Sequence, residues 1–329
     1  MEERSGPGGT SPAPPAVDDA VTGAAPAKAA FVAVVGRPSA GKSTLINRLC
    51  GAKVAIVSPV PQTTRNAIRG IVNGPQGQLV LVDTPGRHRS ERKFNKKLRE
   101  TADRAAAEAE IVLYVLDASR PPGPEEEEIA SALAAPAFLS RTIAAVNKID
   151  VPGADIAAAG DFLGLRLPQL PEARRFNISA LRNEGLSDLL RALFDLAPPG
   201  EPFYPREYYT DQELPFRIAE IIREKAINRL RQELPHSIYV EVADTELREE
   251  GGRQRGRQRL WVRAFIMVER ESQKGMVVGK GGAMIRAIRL AAQKDLDRIF
   301  DWKTELDLRV KTAHEWRHND EILRRFIGR

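Results

Sequence analysis

Gly36-Arg37-Pro38-Ser39-Ala40-Gly41-Lys42-Ser43-Thr44 follows the apolar run Ala30–Val35 and precedes Leu45-Ile46-x-x-Leu49. A β-branched run, a glycine-bounded loop and an apolar helical spacing, in that order, predict a strand–loop–helix unit. The spacing G-x-x-x-x-G-K-[ST] predicts a phosphate-binding loop. Glycines at 36 and 41 let the backbone wrap so that amides of this stretch converge on α- and β-phosphate oxygens. Lys42 adds a point charge at the β/γ-phosphates, and the Ser43 hydroxyl is offered to Mg²⁺.

A phosphate loop specifies a nucleoside triphosphate but not its base, so the remaining contacts are sought at the ends of later strands. Leu79–Val82 runs into Asp83-Thr84-Pro85-Gly86. A carboxylate just past that strand end suits water-mediated Mg²⁺ binding, and the Gly86 N–H can approach a γ-phosphate. Thr142–Val146 runs into Asn147-Lys148-Ile149-Asp150. The Asp150 carboxylate can accept both the N1–H and the exocyclic N2–H₂ of guanine, a pair adenine does not present, while the Lys148 stem is long enough to cover the base. Arg175-Phe176-Asn177-Ile178 precedes Ser179-Ala180-Leu181, where a backbone N–H can donate to guanine O6. In this order the segments select GTP over ATP. A phosphate-loop kinase is disfavoured, because no acceptor-substrate lid is evident.

These segments resemble the five G motifs of the translation-factor-like GTPases. Gln62-Thr63-Thr64-Arg65 together with Asp83-Thr84-Pro85-Gly86 is similar to the Era branch of that class. The resemblance implies that Thr64, with Thr63 as the alternative, closes over Mg²⁺ and γ-phosphate in the GTP state. The expected catalytic set is then Lys42, Thr64, Asp83 and Gly86, and the expected metal set Ser43, Thr64 and Asp83. Two positions depart from the pattern. Ser39 stands where most relatives carry an Asn that ligates potassium in the potassium-stimulated members, and a hydroxyl is a shorter, weaker ligand, so K⁺ stays open as a third cofactor beside GTP/GDP and Mg²⁺. Arg87 stands where many GTPases place a water-orienting Gln; it is either an arginine finger in cis or a solvated switch-loop cation. Without a positioning side chain, turnover is expected near ~10⁻⁴ to 10⁻³ s⁻¹ until a partner helps.

At 329 residues and 42% hydrophobic content the chain suits two domains, each able to bury a core. Residues 1–28 begin Met1-Glu2-Glu3-Arg4, are rich in Pro, Gly, Ala and Ser, and lack the basic and apolar regions of a signal peptide, so a disordered leader is expected there. No apolar run reaches the ~18 residues a membrane span needs, which leads us to expect a soluble chain. The single cysteine, Cys50, excludes a disulfide framework and a Cys-rich zinc site and fits a reducing cytoplasm; on the helix after the phosphate loop it is expected in the core.

Proline-rich Ala197-Pro198-Pro199-Gly200-Glu201-Pro202-Phe203-Tyr204-Pro205 follows the amphipathic Leu186-Leu189-Leu190-Leu193 run and breaks its helix. The division expected is a nucleotide domain over 29–197, a linker over 198–213 and a second domain over 214–329. Strands alternating with helical runs such as Lys93–Glu110 and Glu125–Leu133 predict an α/β fold with a mixed, mostly parallel sheet and helices on both faces.

Downstream the order changes to an α+β pattern. Phe216–Leu234 has helical spacing, His236–Val242 and Leu260–Val268 read as strands, a glycine loop leads into a helix ending near Phe300, Leu306–Val310 reads as a strand, and Trp316–Ile327 as a closing helix. The loop is Val277-Val278-Gly279-Lys280-Gly281-Gly282, followed by Ala283-Met284-Ile285-x-x-Ile288. Glycines let a nucleic-acid backbone approach, Lys280 meets phosphate, and an adjacent apolar groove takes unstacked bases, as in KH domains; the element order resembles the type II KH topology. The RNA-binding set expected is Val278, Gly279, Lys280, Gly281, Gly282, Ile285, Arg286 and Lys274. To these we add Arg253, Arg255, Arg257 and Arg259, read as a flexible basic hairpin loop that supplies phosphate contacts.

The resemblance to the Era family extends over nearly the whole chain after the leader, through Thr210-Asp211-Gln212, Ala219-Glu220-Ile221-Ile222-Arg223-Glu224-Lys225, Glu233-Leu234-Pro235-His236-Ser237 and Val268-Glu269-Arg270-x-Ser272-Gln273-Lys274-Gly275. It implies a monomeric cytoplasmic GTPase that binds the 3′ end of small-subunit (16S) rRNA during 30S maturation. Net charge of +6 and a pI near 9.5 fit RNA but equally fit anionic lipid. A signalling GTPase held peripherally on the cytoplasmic face of the inner membrane, its basic domain on lipid or another RNA, is therefore the alternative.

Overall fold

The computed structural model of the chain describes residues 26–58, 68–83, 107–231, 234–249, 258–314 and 316. They fall into two compact units that divide between Asp211 and Gln212.

The first unit is built on a six-stranded sheet of order β2-β3-β1-β4-β5-β6. Its strands are β1 (Lys28–Val35), β2 (Ile68–Gly74), β3 (Gly77–Asp83), β4 (Ile111–Asp117), β5 (Thr142–Asn147) and β6 (Arg175–Asn177). All neighbours pair in parallel except the hairpin β2–β3. Parallel strands covered on both faces are continuous apolar runs rather than alternating ones. Every residue of β3, β4 and β5 is accordingly buried. On one face, Val112, Tyr114 and Leu116 of β4 pack with Ile129, Ala130 and Leu133 of α2 (Pro124–Leu133) and Ala159, Phe162 and Leu163 of α4 (Ile156–Arg166). Between these helices lies the one-turn α3 (Pro136–Leu139). On the other face, α1 (Lys42–Leu49) and α5 (Leu186–Leu196) lie against β2, with Ile46 and Cys50 over Gly70 and Phe194 over Gly74. Cys50 caps α1 and is half-buried, and burial pushes its thiol up to about 12.

Residues 198–211, expected as a linker, are bonded along the edge of this sheet. Ala29 N donates to Pro198 O (3.1 Å), Gly200 N to Ala27 O (2.8 Å) and Ile71 N to Tyr209 O (2.9 Å). The fully buried Gln78 amide binds both ends of the Tyr204 peptide, Nε2 to Tyr204 O at 2.8 Å and Tyr204 N to Oε1 at 2.9 Å. Phe203 stacks on Phe31 with ring centres 4.5 Å apart, and Arg69 closes the strap on Asp211 at 2.8 Å. The prolines end α5, but the chain beyond it is a strap and not a free spacer.

The second unit runs α6 (Leu214–Ile227), α7 (Leu234–Ser237), β7 (Tyr239–Glu249), β8 (Gln258–Val268), α8 (Glu271–Val278), a 3₁₀ turn (Lys280–Gly282), α9 (Ala283–Ile299) and β9 (Lys303–Thr312). Strand β8 is central, antiparallel to β7 and parallel to β9. Leu260, Val262, Ala264, Ile266 and Val268, the alternate residues of β8, are buried in the core, and Trp316 docks there through Nε1–H to Ser237 O at 3.0 Å. Three expectations need correction. Helix α6 stops at Ile227 rather than Leu234, where Asn228 takes the C-cap. Residues Leu234–Ser237, partly expected as strand, form a helical turn, so β7 starts at Tyr239. Strands β7 and β8 extend toward each other, which places Arg259 inside β8 opposite Arg248 rather than in a loop. Arg253, Arg255, Arg257 and the expected closing helix after Trp316 lie outside the described residues, as do residues 1–25 of the expected leader and most of Lys93–Glu110, while Lys28, expected as the end of the leader, opens β1.

Gln78→Ala would strip both polar ends of the Tyr204 peptide of their partner at a cost of about 2 kcal/mol. Hydrogen exchange at the Ile71 amide, which holds the same strap, is expected to speed by roughly thirtyfold. An unchanged rate would mean that the strap does not depend on this amide.

Candidate nucleotide site and glycine loop

Strand β1 delivers the chain to Gly36 and α1 takes it away at Lys42. Gly41 caps α1 with φ 96°, and a Cβ there would lie 2.3 Å from Asn147 Nδ2, so neither backbone nor space admits a side chain. No side chain caps this helix and no acidic residue occupies its first turn. Its N-terminal amides and dipole therefore favour an anion. Ser39 is left-handed at φ 62°, a conformation Asn tolerates better than Ser. Pro38 and Ala40 complete the turn, with Ala40 N donating to Arg37 O at 3.3 Å.

Lys42 is buried and donates Nζ–H to Gly36 O (2.9 Å) and Arg37 O (3.0 Å). Burial lowers its ammonium below the usual lysine range, against the opposing pull of Asp83 and Glu125. Asp83, expected just beyond β3, is its last residue, in register with Val34 of β1, and fully buried. Ser43 at the head of α1 donates Oγ–H to Asp83 Oδ2 at 2.6 Å. A hydroxyl and a carboxylate in contact beneath a phosphate loop are the hard oxygen donors that Mg²⁺ takes. Thr44 sits beside them in the first turn of α1.

Asn147, the first residue of the expected guanine segment, clasps two loops. Its Nδ2 donates to Ala40 O at 2.9 Å and its Oδ1 accepts from Ala180 N at 3.0 Å, which ties the phosphate loop to the loop after β6. The Ser179 amide is engaged too, with Glu184 O at 3.1 Å, so of the Ser179-Ala180-Leu181 amides only that of Leu181 has no partner among the described residues. The expected O6 donor is thereby narrowed to Leu181, a residue 65% exposed whose carbonyl is held by Arg48 at 2.9 Å. Asp150 is oriented by the Ser179 hydroxyl at 2.6 Å. Lys148 is left-handed at φ 69°, and its Nζ lies 2.7 Å from Asp117 Oδ2.

Sequence reading does not single out Asp117. It closes β4 in register with Asn147, so its position is set by the same parallel ladder that places the guanine motif. Burial alone would push its carboxyl up, but hydrogen bonds from Lys148 and Ser119 outweigh that and hold it below the usual carboxylate range. The signal available in the sequence was an apolar run ending in Asp, the same format as the run before Asp83. Arg37, placed by sequence on the nucleotide through its backbone, turns its buried side chain to Asp117 (3.5 Å) and Glu126 (2.8 Å). Thr64, Thr84, Pro85, Gly86 and Arg87 lie outside the described residues.

In the second unit the glycine loop needs left-handed backbone at Gly279 (φ 73°), Gly281 (φ 58°) and Gly282 (φ 78°). A Cβ on Gly279 would sit 2.7 Å from Met284 Cβ, so the turn is closed to side chains there. Lys280 and Arg286 are exposed, Val278 and Ile285 are half-buried beside them, and the uncapped N-terminus of the 17-residue α9 begins at the loop. Lys274 is not a free cation, since its Nζ lies 3.1 Å from Glu271. Arg259 lies 3.8 Å from Glu305 on β9.

A family model described as a 50S ribosome-binding GTPase matches residues 31–148, and a KH-domain model matches 233–317. GTPase Era of Treponema denticola is 47% identical over 89% of this chain and 97% of that relative. The Treponema pallidum protein of the same name is 47% identical over 92% and 98%. The chain belongs to the Era family of GTPases. Era from Aquifex aeolicus, a variant bound to GDP·AlF4⁻, superposes with a TM-score of 0.83 at 33% identity over 92% of this chain and 99% of its own. Era solved with MgGDPNP and nucleotides 1506–1542 of 16S ribosomal RNA gives 0.82 over the same shares. As a member of the family the chain hydrolyses GTP, with the first unit as its G domain and the second unit as its KH domain.

Replacing Asp150 by Asn exchanges a double acceptor for an amide that can pair with xanthine O2. GDP affinity is expected to fall by about ten- to hundredfold while xanthosine diphosphate gains, read by competition against a fluorescent nucleotide. Retained guanine preference would contradict the assignment of Asp150.

Proposed function

We propose that this chain is a GTP-hydrolysing switch that binds the 3′ end of small-subunit rRNA through its KH loop and assists 30S maturation. The observation that carries the reading is the presence, in one chain, of a phosphate loop and guanine-loop residues gathered at one sheet edge and a Gly279–Gly282 turn with exposed Lys280. The Era structure with a GTP analogue and a 16S fragment, matched over 92% of this chain, supports it.

In this reading the amides of residues 36–44 and the Lys42 ammonium hold the phosphates, Asp150 and Leu181 N–H read guanine, and Lys148 covers it. Ser43 and Asp83, with Thr64 in the GTP state, would hold Mg²⁺, which would supply charge neutralisation to the phosphates. Lys42 and the loop amides stabilise the charge that develops as water attacks the γ-phosphorus in line, and the Gly86 amide reaches the same phosphate. Ser39 offers one short hydroxyl where a potassium-ligating Asn would stand, which weakens any potassium site at the phosphate loop. On the RNA side, the Lys280 and Arg286 cations and the α9 amides take backbone phosphates, while Val278 and Ile285 face unstacked bases. The protein acts as a cytoplasmic monomer on the assembling 30S particle.

Lys280→Glu tests the RNA arm. With an oligonucleotide copying the rRNA 3′ end, it is expected to lose at least tenfold in affinity and to flatten the slope of log K against log salt by roughly 0.7 per lost phosphate contact. Basal GTP hydrolysis is expected to stay within twofold of wild type. An unchanged slope would contradict the placement of RNA phosphate on this loop.

A further inference from the structure

We propose that Asp117 is a positioning residue for nucleotide binding. Its buried carboxylate holds Lys148 of the guanine loop and Arg37 of the phosphate loop on one anion, so that the base half and the phosphate half of the site are set together.

The side chain of Asp117 is fully buried at the end of β4. Its Oδ2 receives Lys148 Nζ at 2.7 Å and Arg120 Nη2 at 3.3 Å, with Arg37 Nη2 at 3.5 Å, and its Oδ1 receives the Ser119 hydroxyl at 2.5 Å and amide at 3.0 Å. Arg37 is fixed from its far side by Glu126 Oε1 at 2.8 Å and by Pro121 O at 3.3 Å. Three cations thus meet two buried carboxylates, and removing Asp117 would leave Arg37 and Lys148 with too little anion.

Among the described residues the two loops have no other side-chain anion in common. Asn147 joins them through backbone groups, which sets the distance between the loops but not where the Lys148 side chain lies. Lys148 has left-handed backbone, a conformation that persists in a β-unbranched residue only when its surroundings over-determine it. The 2.7 Å contact with Asp117 supplies that constraint at the far end of the side chain. With its ammonium pinned, the methylene stem is held in one course instead of sampling the many rotamers of an exposed lysine, a freedom otherwise lost on binding.

The inference rests on the reading in which Lys148 covers guanine, so the test separates the two. Asp117→Asn, Lys148→Met and the double variant are compared in the full chain for GDP affinity, by displacement of a fluorescent GDP analogue, and for melting temperature. Each single variant is expected to weaken GDP binding by about tenfold, the equivalent of one charge-assisted hydrogen bond. The double variant is expected to lose less than the product of the two single losses, because both changes remove the shared Lys148–Asp117 contact while Asp117→Asn also frees Arg37. A purely structural Asp117 predicts multiplied losses instead, and that result overturns the proposal. Loss with Lys148→Met but none with Asp117→Asn overturns the proposal alone, and no loss with Lys148→Met overturns the base-loop reading along with it. If Asp117→Asn melts below the assay temperature, the same cycle is run with Asp117→Glu, which keeps the charge but displaces it by one methylene; additive losses there overturn the proposal equally.

Discussion

Parallel pairing of β3, β1, β4, β5 and β6 is the constraint from which the nucleotide site follows. Because the strands run the same way, their C-terminal ends arrive along one edge, and Asp83, Gly36, Asp117, Asn147 and Ser179 stand at or next to those ends. Register does the fine placement, setting Val34 beside Asp83 and Asp117 beside Asn147. The apolar layers beneath drive this arrangement, since strands buried on both faces cannot slip without exposing a continuous hydrophobic run.

Above that edge the loops are cross-tied by polar groups that are buried or half-buried and partnered. Asn147 bridges Ala40 and Ala180, Ser179 orients Asp150, Ser43 meets Asp83, and Asp117 gathers Arg37 and Lys148. Each such group would be costly if left alone in a low-dielectric setting, and each is inexpensive as it stands. The consequence is preorganisation: amides, carboxylates and cations are already in place, so little ordering remains to oppose nucleotide binding. The KH loop is preorganised differently, through backbone that only glycine adopts readily and through the helix N-terminus behind it.

Much of this was legible in the sequence wherever chemistry and spacing coincide. The phosphate loop, the Asp83 strand end, Asn147 through Asp150 and the Gly279–Gly282 turn are short motifs whose residue types permit few other uses. What stayed hidden depends on long-range pairing. Strand β4 is a short apolar run with no motif, and such a run is not separable from a buried helix by periodicity, so Asp117 went unnoticed. Helix α4 contains two glycines and little amphipathy, and its Asp155 cap is visible only once Ala158 N is seen to donate to it. Residues 198–211 carry the prolines of a spacer, yet their backbone is spent on β1 and β2, a fact that no local pattern encodes. The outer half of β7, exposed from Ala243 to Glu249, is a strand by virtue of β8 and not of burial, so no local pattern marks the pairing that carries Arg259 out of the basic loop and into β8.

The proposed role as a switch requires that RNA affinity depend on the bound nucleotide. It is tested most directly by fluorescence anisotropy of a labelled oligonucleotide copying the 16S rRNA 3′ end, titrated with the full chain in GDP and in a non-hydrolysable GTP analogue, beside a scrambled oligonucleotide. The account predicts tighter binding in the GTP form that the scrambled control does not reproduce. Equal affinity in both nucleotide states, or equal affinity for both oligonucleotides, would contradict it.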